Sequence, residues 1–424
     1  MPRSSFPLLA AAVLCLAAAP ARASNCAGTS VGLVPLTDLG TGTYQGYQGG
    51  LYAGGSSHRP AAHDAAGVSI ATALAPLDTL GQPDAVNGRF VLISIGMSNA
   101  TMEFAPFVQK AMGYSARHPK LLVIDCAKGG QSANLISSPT AAYWDTVFTR
   151  LRGRGSAPLQ AQAVWIKEAD PGPTGGFPAA TNTLLAQLGS IVRIIHQKMP
   201  NVRLVYFTSR IYAGYASSTL NPEPYAYESG FAVKWLIEAQ VSGVDSLNYD
   251  PGQGAVEAPW LAWGPYLWAD GLVGRADSLK WTCDEFVTSD GTHPSALGTQ
   301  LVSDSLLQFF SHDETTVPWF LAGPLAVEPS VPRIALAAAP NPAAGAVTVS
   351  FTPRAGERWW LEVLDPSGRR VRTLASGVGQ GAVVRGRWDG RDDSGARLAA
   401  GVYWVRVAGG SAPSARRVVL LSSE

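Results

Sequence analysis

Ser98, Asp290 and His293 are the residues whose types and spacing suit nucleophilic chemistry. Ser98 stands in the turn Gly96-Met97-Ser98-Asn99, directly after the apolar run Phe90-Val91-Leu92-Ile93-Ser94-Ile95. A buried strand that ends in Gly-x-Ser and passes straight into a helix presents the hydroxyl at the carboxyl edge of a parallel sheet. Open α/β folds place their ligands at that edge. A serine hydroxyl is a weak nucleophile and needs a base; a His serves if a carboxylate fixes its tautomer. The segment Asp290-Gly291-Thr292-His293-Pro294 offers both from one loop. A helix start at Ser98 also turns amides and the helix dipole toward an acyl oxygen that gains charge. Taken singly, Ser98 reads as a helix N-cap and His293 as a surface residue. Taken together and in this order, they point to a serine hydrolase.

The elements around them fit that chemistry. Short apolar runs at 90–95, 121–126, 161–166 and 202–208 are partly β-branched and bounded by turn residues, as fully buried parallel strands are. Helical patterns lie between and after them, at 102–112, 143–151, 179–199, 230–240 and 295–310. Alternating strand and helix predicts an α/β unit with helices on both faces of a parallel sheet. The Gly- and Tyr-rich stretch 41–57 reads as an ordered surface loop. The stretch 259–268, with three Trp and one Tyr, is either core packing or an aromatic wall for a sugar ring. From 321 to 339 the chain turns rich in Pro, Val and Ala, a linker pattern. Beyond it, short alternating runs separated by Pro366-Ser367-Gly368 and Asp392-Asp393-Ser394-Gly395 predict a small all-β sandwich.

Length and composition agree. A chain of 424 residues exceeds one average domain, and 46% hydrophobic against 15% charged residues permits a sizeable core. Arg3, the apolar run 6–19 and Ala21-Arg22-Ala23 form a secretion-signal pattern with cleavage near Ala23, too short for a membrane anchor. The expected mature protein is secreted, with no membrane span. From Arg333 onward there are 13 Arg, no Lys and 7 acids, a net +6; residues 24–332 carry 17 basic and 24 acidic groups, a net −7. That asymmetry suggests two units of different origin, and the Arg residues are too scattered for a nucleic-acid partner. Cys26, Cys126 and Cys283 remain after the signal, enough for one disulfide; Cys126 with Cys283 and Cys26 with Cys283 are both open. There is no Cys-x-x-Cys and no His-rich ligand set, so no metal is expected.

Residues 89–312 resemble the SGNH (GDSL-type) hydrolase superfamily, near its carbohydrate-esterase and sialate O-acetylesterase branches. The likeness rests on Gly96-Met97-Ser98-Asn99, Lys128-Gly129-Gly130-Gln131-Ser132 and Asp290-Gly291-Thr292-His293-Pro294. It implies a flavodoxin-like three-layer fold, Ser98-His293-Asp290 ester hydrolysis and no cofactor. It also implies an oxyanion hole formed by the amides of Ser98 and Gly130, or of the neighbouring Gly129. The third block departs from the pattern: an Asn or Gln donor is expected after the third strand, and Lys167 of Lys167-Glu168-Ala169-Asp170 stands there instead. Lys167 either stabilises the oxyanion or pairs with Glu168 or Asp170. Asn99, Gln131, Arg210 and Tyr212 are the expected substrate contacts. Asn99-Ala100-Thr101 is a glycosylation sequon, which its place beside the nucleophile argues against.

The C-terminal residues resemble the immunoglobulin-like domain of the flagellar hook-capping protein and related type IX sorting domains. They do so through Pro340-Asn341-Pro342, Asp365-Pro366-Ser367-Gly368-Arg369, the stretch from Trp388 to Gly395, and Ala400-Gly401-Val402-Tyr403. The expected organisation is therefore a signal peptide over 1–23, a hydrolase domain over 24–325, a linker over 326–338 and a sandwich over 339–424 serving sorting or cell-surface attachment. The expected substrate is an acylated carbohydrate. A lipid or short-chain ester is the alternative within hydrolases, and a non-catalytic glycan-binding protein the alternative outside them. A metal-dependent deacetylase is a weaker rival.

Overall fold

The computed structural model describes residues 23–322, 336–366, 368–408 and 414–422. The predicted signal peptide, save its last residue, lies outside the described residues, as does most of the predicted linker. The chain divides into two compact units, residues 1–323 and 324–424.

The first unit is built on five strands: β1 (Phe90–Gly96), β2 (Leu121–Ile124), β3 (Ala161–Lys167), β4 (Leu204–Phe207) and β5 (Trp260–Trp263). They pair in the order β2-β1-β3-β4-β5, every pair parallel. All seven residues of β1 and of β3 are buried, which explains why their sequences are almost unbroken apolar runs. The chain passes from β1 outward to β2 and returns to the other side of β1 as β3. Strand order thus reverses at the β1–β3 gap, where such sheets open a crevice.

Six long helices flank the sheet: α1 (Ala61–Ala73), α2 (Ser98–Gly113), α3 (Tyr143–Gly153), α4 (Ala179–Lys198), α5 (Tyr225–Val241) and α6 (Ala296–His312). Helix α2 buries Phe104 and Phe107, whose rings stack on Trp165 of β3 and Phe310 of α6 at centroid distances of 5.3 Å each. The sequence pattern locates four strands and five helices; α1 and β5 escaped it. Strand β5 sits in the Trp-rich stretch, whose Pro and Gly residues read as loop. Trp260, Trp263 and Trp268 are buried, their indole N–H groups donating to His63 O, Leu51 O and Glu223 Oε1 at 3.0, 2.8 and 2.8 Å. That stretch is core. Part of the predicted loop over 41–57 folds into a two-strand hairpin, Thr43–Tyr44 with Tyr47–Gln48.

Cys26 and Cys283 form a disulfide with Cα atoms 5.4 Å apart, and Cys126 is a buried free thiol.

The second unit has two antiparallel sheets made from β6 (Ala337–Ala339), β7 (Val347–Phe351), β8 (Arg358–Leu364), β9 (Arg370–Val378), β10 (Val384–Trp388), β11 (Gly401–Ala408) and β12 (Ser414–Leu420). Their orders are β9-β8-β11-β12 and β10-β7-β6. Val349, Leu361, Val363, Trp388 and Val405 fill the space between, each fully buried. Alternating inward residues produce this sandwich core. Strand β6 begins inside the stretch whose Pro and Ala content reads as linker.

Candidate active site

The carboxyl end of β1 is shaped by Gly96. Its φ is +156°, and a Cβ there would lie 2.4 Å from Ala100 Cβ and 2.5 Å from Lys167 O. The chain can therefore turn at once into α2, whose first residue is Ser98. The first N–H groups of a helix have no intrahelical acceptor, so the Ser98 amide is available to a ligand.

The hydroxyl of Ser98 lies 2.8 Å from His293 Nε2, and His293 Nδ1 lies 2.7 Å from Asp290 Oδ2. Residues 195 apart in sequence thus form one hydrogen-bonded chain, an arrangement that suits a nucleophile, its base and an orienting carboxylate. Asp290 Oδ1 accepts from the amides of Thr292 and His293 at 2.8 and 3.0 Å. Burial works against the Asp290 charge. The two amides and the imidazole outweigh it, so the carboxyl is held below its ordinary value. An ionised Asp290 keeps the proton on Nδ1 and leaves Nε2 to accept from Ser98.

The loop that carries Asp290 and His293 is fixed from several sides. Gly291 has φ +59°, and a Cβ there would meet Tyr215 O at 2.0 Å. Asn99 Nδ2 donates to Thr292 O at 3.0 Å. Ser217 N–H donates to Asp290 O at 2.9 Å.

A cavity of about 80 Å³ opens over the triad, lined by Met97, Ser98, Asn99, Gly130, Ser132, Asp170, Pro171, Arg210, Leu220, Asn221, Thr292 and His293. Gly130 lies on its wall, in a turn closed by the Gln131 amide donating to Lys128 O. Gly129 packs beside Ser98. Of the expected substrate contacts, Asn99 and Arg210 line the cavity; Asn99 uses its amide to hold the loop of Asp290 and His293. Gln131 and Tyr212 do not line it. Tyr212 is buried, donates from its hydroxyl to Gly28 O at 2.6 Å and packs on Tyr215 at a centroid distance of 5.1 Å.

Lys167 likewise stays out of the cavity lining, contrary to the expected oxyanion role. It is fully buried and its ammonium donates to both oxygens of Glu103, at 2.6 and 2.7 Å. Burial pushes the Lys167 ammonium down to about 8 and the Glu103 carboxyl up, each pulled back by its partner. The partner is thus Glu103 of α2, not Glu168 or Asp170. Asp170 lines the cavity, with Oδ1 accepting from the Asn134 amide at 2.9 Å. Glu168 is buried with both carboxylate oxygens unpartnered, and burial drives it well toward the neutral form.

Sequence reasoning missed Glu103 and the place of Asp170 on the cavity wall. Glu103 had a signal: it is an acid among Phe104, Phe107 and Ala100 on the buried face of α2. Asn221 opens the Pro- and Tyr-rich insertion 221–228 that the sequence offers as a pocket wall, and it does line the cavity, held by its φ of +60° and its side-chain amide donating to Asp170 O at 3.1 Å. Among the described residues no cluster of His, Cys, Asp and Glu could hold a metal ion, and no helix is long and apolar enough to cross a membrane.

Residues 338–412 match the family profile of the FlgD Ig-like domain, so the second unit is an immunoglobulin-like domain of that kind. A search of curated protein sequences finds no significant match. Among solved structures, the periplasmic domain of a lipopolysaccharide acetyltransferase from Salmonella ser. Paratyphi A is similar at 12% identity, over 52% of this chain and 84% of that one, with a TM-score of 0.30. An extracellular lipase from Streptomyces rimosus is similar at 11% identity, over 52% and 99%, with a TM-score of 0.26. Dimeric latent PorU from Porphyromonas gingivalis is similar at 19% identity and a TM-score of 0.18; the match takes in 21% of this chain and only 9% of that one.

Proposed function

We propose that this protein is an exported serine ester hydrolase that removes short acyl groups, with an acylated carbohydrate as substrate. The observation that carries the proposal is the unbroken chain from Ser98 Oγ through His293 to Asp290, at 2.8 and 2.7 Å. Ser98 Oγ attacks the ester carbonyl carbon while His293 Nε2 takes its proton, and the carbonyl electron pair moves onto oxygen. The amides of Ser98 and Gly130 face that oxygen. Collapse of the intermediate breaks the bond to the alcohol, which leaves with the proton from His293. Water then attacks the acyl-enzyme by the same route and releases the acid.

Cavity size supports a short acyl group. About 80 Å³ is small beside the roughly 300–1,000 Å³ of common ligand pockets. Polar side chains of Ser132, Asn221 and Thr292 line the cavity, and the unpartnered Asn221 Oδ1 suits a hydroxyl-bearing alcohol. Export is supported by the leader-like N-terminus and by the Cys26–Cys283 disulfide. The immunoglobulin-like unit suits sorting or surface attachment.

The test is hydrolysis of 4-nitrophenyl esters of increasing acyl length and of acetylated monosaccharides. Acetate turnover that disappears in Ser98→Ala and falls as the acyl chain lengthens is the expected result. Glycan binding with no ester turnover by the wild type would replace the hydrolase by a binding module.

A further inference from the structure

With its ammonium committed to Glu103 and outside the cavity lining, Lys167 is not available as a donor to the acyl oxygen. We propose that Arg210, on the loop after β4, fills that role: its guanidinium donates to the oxyanion as charge develops on it. The inference rests on Ser98 being the nucleophile.

Arg210 lines the same cavity as Ser98, Gly130 and His293. It is only 1% exposed, and its Nε and Nη2 atoms have no hydrogen-bond partner among the described residues. A guanidinium stays charged in a protein, and its N–H groups are costly to bury without acceptors. The neighbouring acids do not serve it. Glu103 is bound to Lys167, and Asp290 to His293. Glu223 accepts from the amides of Ala213 and Tyr227 and from the Trp268 indole. Glu168, which is electrostatically coupled to Arg210, makes no hydrogen bond to it.

The guanidinium also feels Glu103, Glu223, Asp290, Glu168 and Lys167. It shares its cavity wall with Ser98, at the end of β1, and with His293. A donor left without an acceptor in the resting enzyme, and given one in the transition state, contributes to rate rather than to ground-state binding.

The test compares Arg210→Ala, Arg210→Gln and Arg210→Lys in the full chain. Loss of one oxyanion donor predicts a fall of about 10²–10³-fold in kcat with KM within about twofold. Arg210→Lys retains part of the rate, and guanidinium ion added to Arg210→Ala restores part of it. Phosphonylation of Ser98 by a fluorophosphonate probe slows in the same order, because that reaction also builds charge on an oxygen in the hole. The probe needs no ester turnover, so it reads Arg210 even if ester hydrolysis fails as the function. A change of less than fivefold in both rates overturns the proposal. So does a loss confined to KM, or one confined to anionic esters, which would make Arg210 a reader of substrate charge. If Arg210→Ala does not fold, the Lys and Gln variants carry the test: equal rates in the two would remove any role for the cation.

Discussion

Replacing Lys167 by Met removes a buried ammonium that donates to both Glu103 oxygens at 2.6 and 2.7 Å, with both side chains at 0% exposure. The Glu103 carboxylate is then left uncompensated in a site closed to water, a change that costs about 3–5 kcal/mol. For a unit of this size each kcal/mol lowers Tm by roughly 2–3 °C, so the variant unfolds about 6–15 °C earlier. Removing both charges, in Lys167→Met with Glu103→Leu, takes away the stranded charge and recovers most of the loss, to within about 1 kcal/mol of the wild type. Thermal and urea unfolding followed by helical ellipticity is the assay, since the long helices all belong to the first unit. Activity of the double variant is the second readout. Because Lys167 does not line the cavity, its kcat is expected within about tenfold of the wild type. A double variant as unstable as Lys167→Met alone would refute the ion-pair argument. A folded double variant slowed by 10²-fold or more would return Lys167 to the oxyanion hole.

Asp290→Asn should lower kcat by about 10⁴ while the fold persists, because an amide cannot hold the imidazole in the required tautomer; steady-state kinetics with thermal unfolding checks it. The same variant tests a pH effect. Burial disfavours the Asp290 charge, but the His293 and Thr292 amides and the imidazole lower its folded value below 3.8. Its stabilising contribution is therefore complete above pH 3.8 and lost as pH falls through the folded value. Urea midpoints measured from pH 5 downward should fall less steeply in Asp290→Asn than in the wild type. Burial also pushes the Cys126 thiol far up. Iodoacetamide should leave Cys126 unlabelled in the native protein and label it once denaturant is added, as mass spectrometry would show; rapid native labelling would contradict its burial.

The parts of this molecule that were legible in the sequence are those set by local pattern. Strands β1 to β4 announced themselves as short β-branched runs between turns, and Ser98, Asp290 and His293 by position relative to them. Lys167 was misplaced because its chemistry depends on Glu103, which lies 64 residues earlier and meets it only when α2 packs on β3. Tyr212 and Gln131 follow the right strands, yet nothing local says that Tyr212 turns inward to Gly28. Strand β5 was hidden because a buried strand of four residues, two of them Trp, does not differ from an aromatic loop by periodicity alone. The unpartnered guanidinium of Arg210 is likewise a property of packing, not of pattern.

The loop before Asp290 and His293 is also tethered from the start of the described chain. Ser24 N–H donates to Thr288 O at 2.8 Å and Asn25 N–H to Tyr215 O at 2.9 Å, while Cys26 is bonded to Cys283, a few residues before Asp290. Trimming the N-terminus past Asn25 strips away two of these tethers, and a thiol reductant severs the third. Loss of these bonds, far along the polypeptide, would loosen the loop that holds Asp290 and His293 without altering any group that lines the cavity.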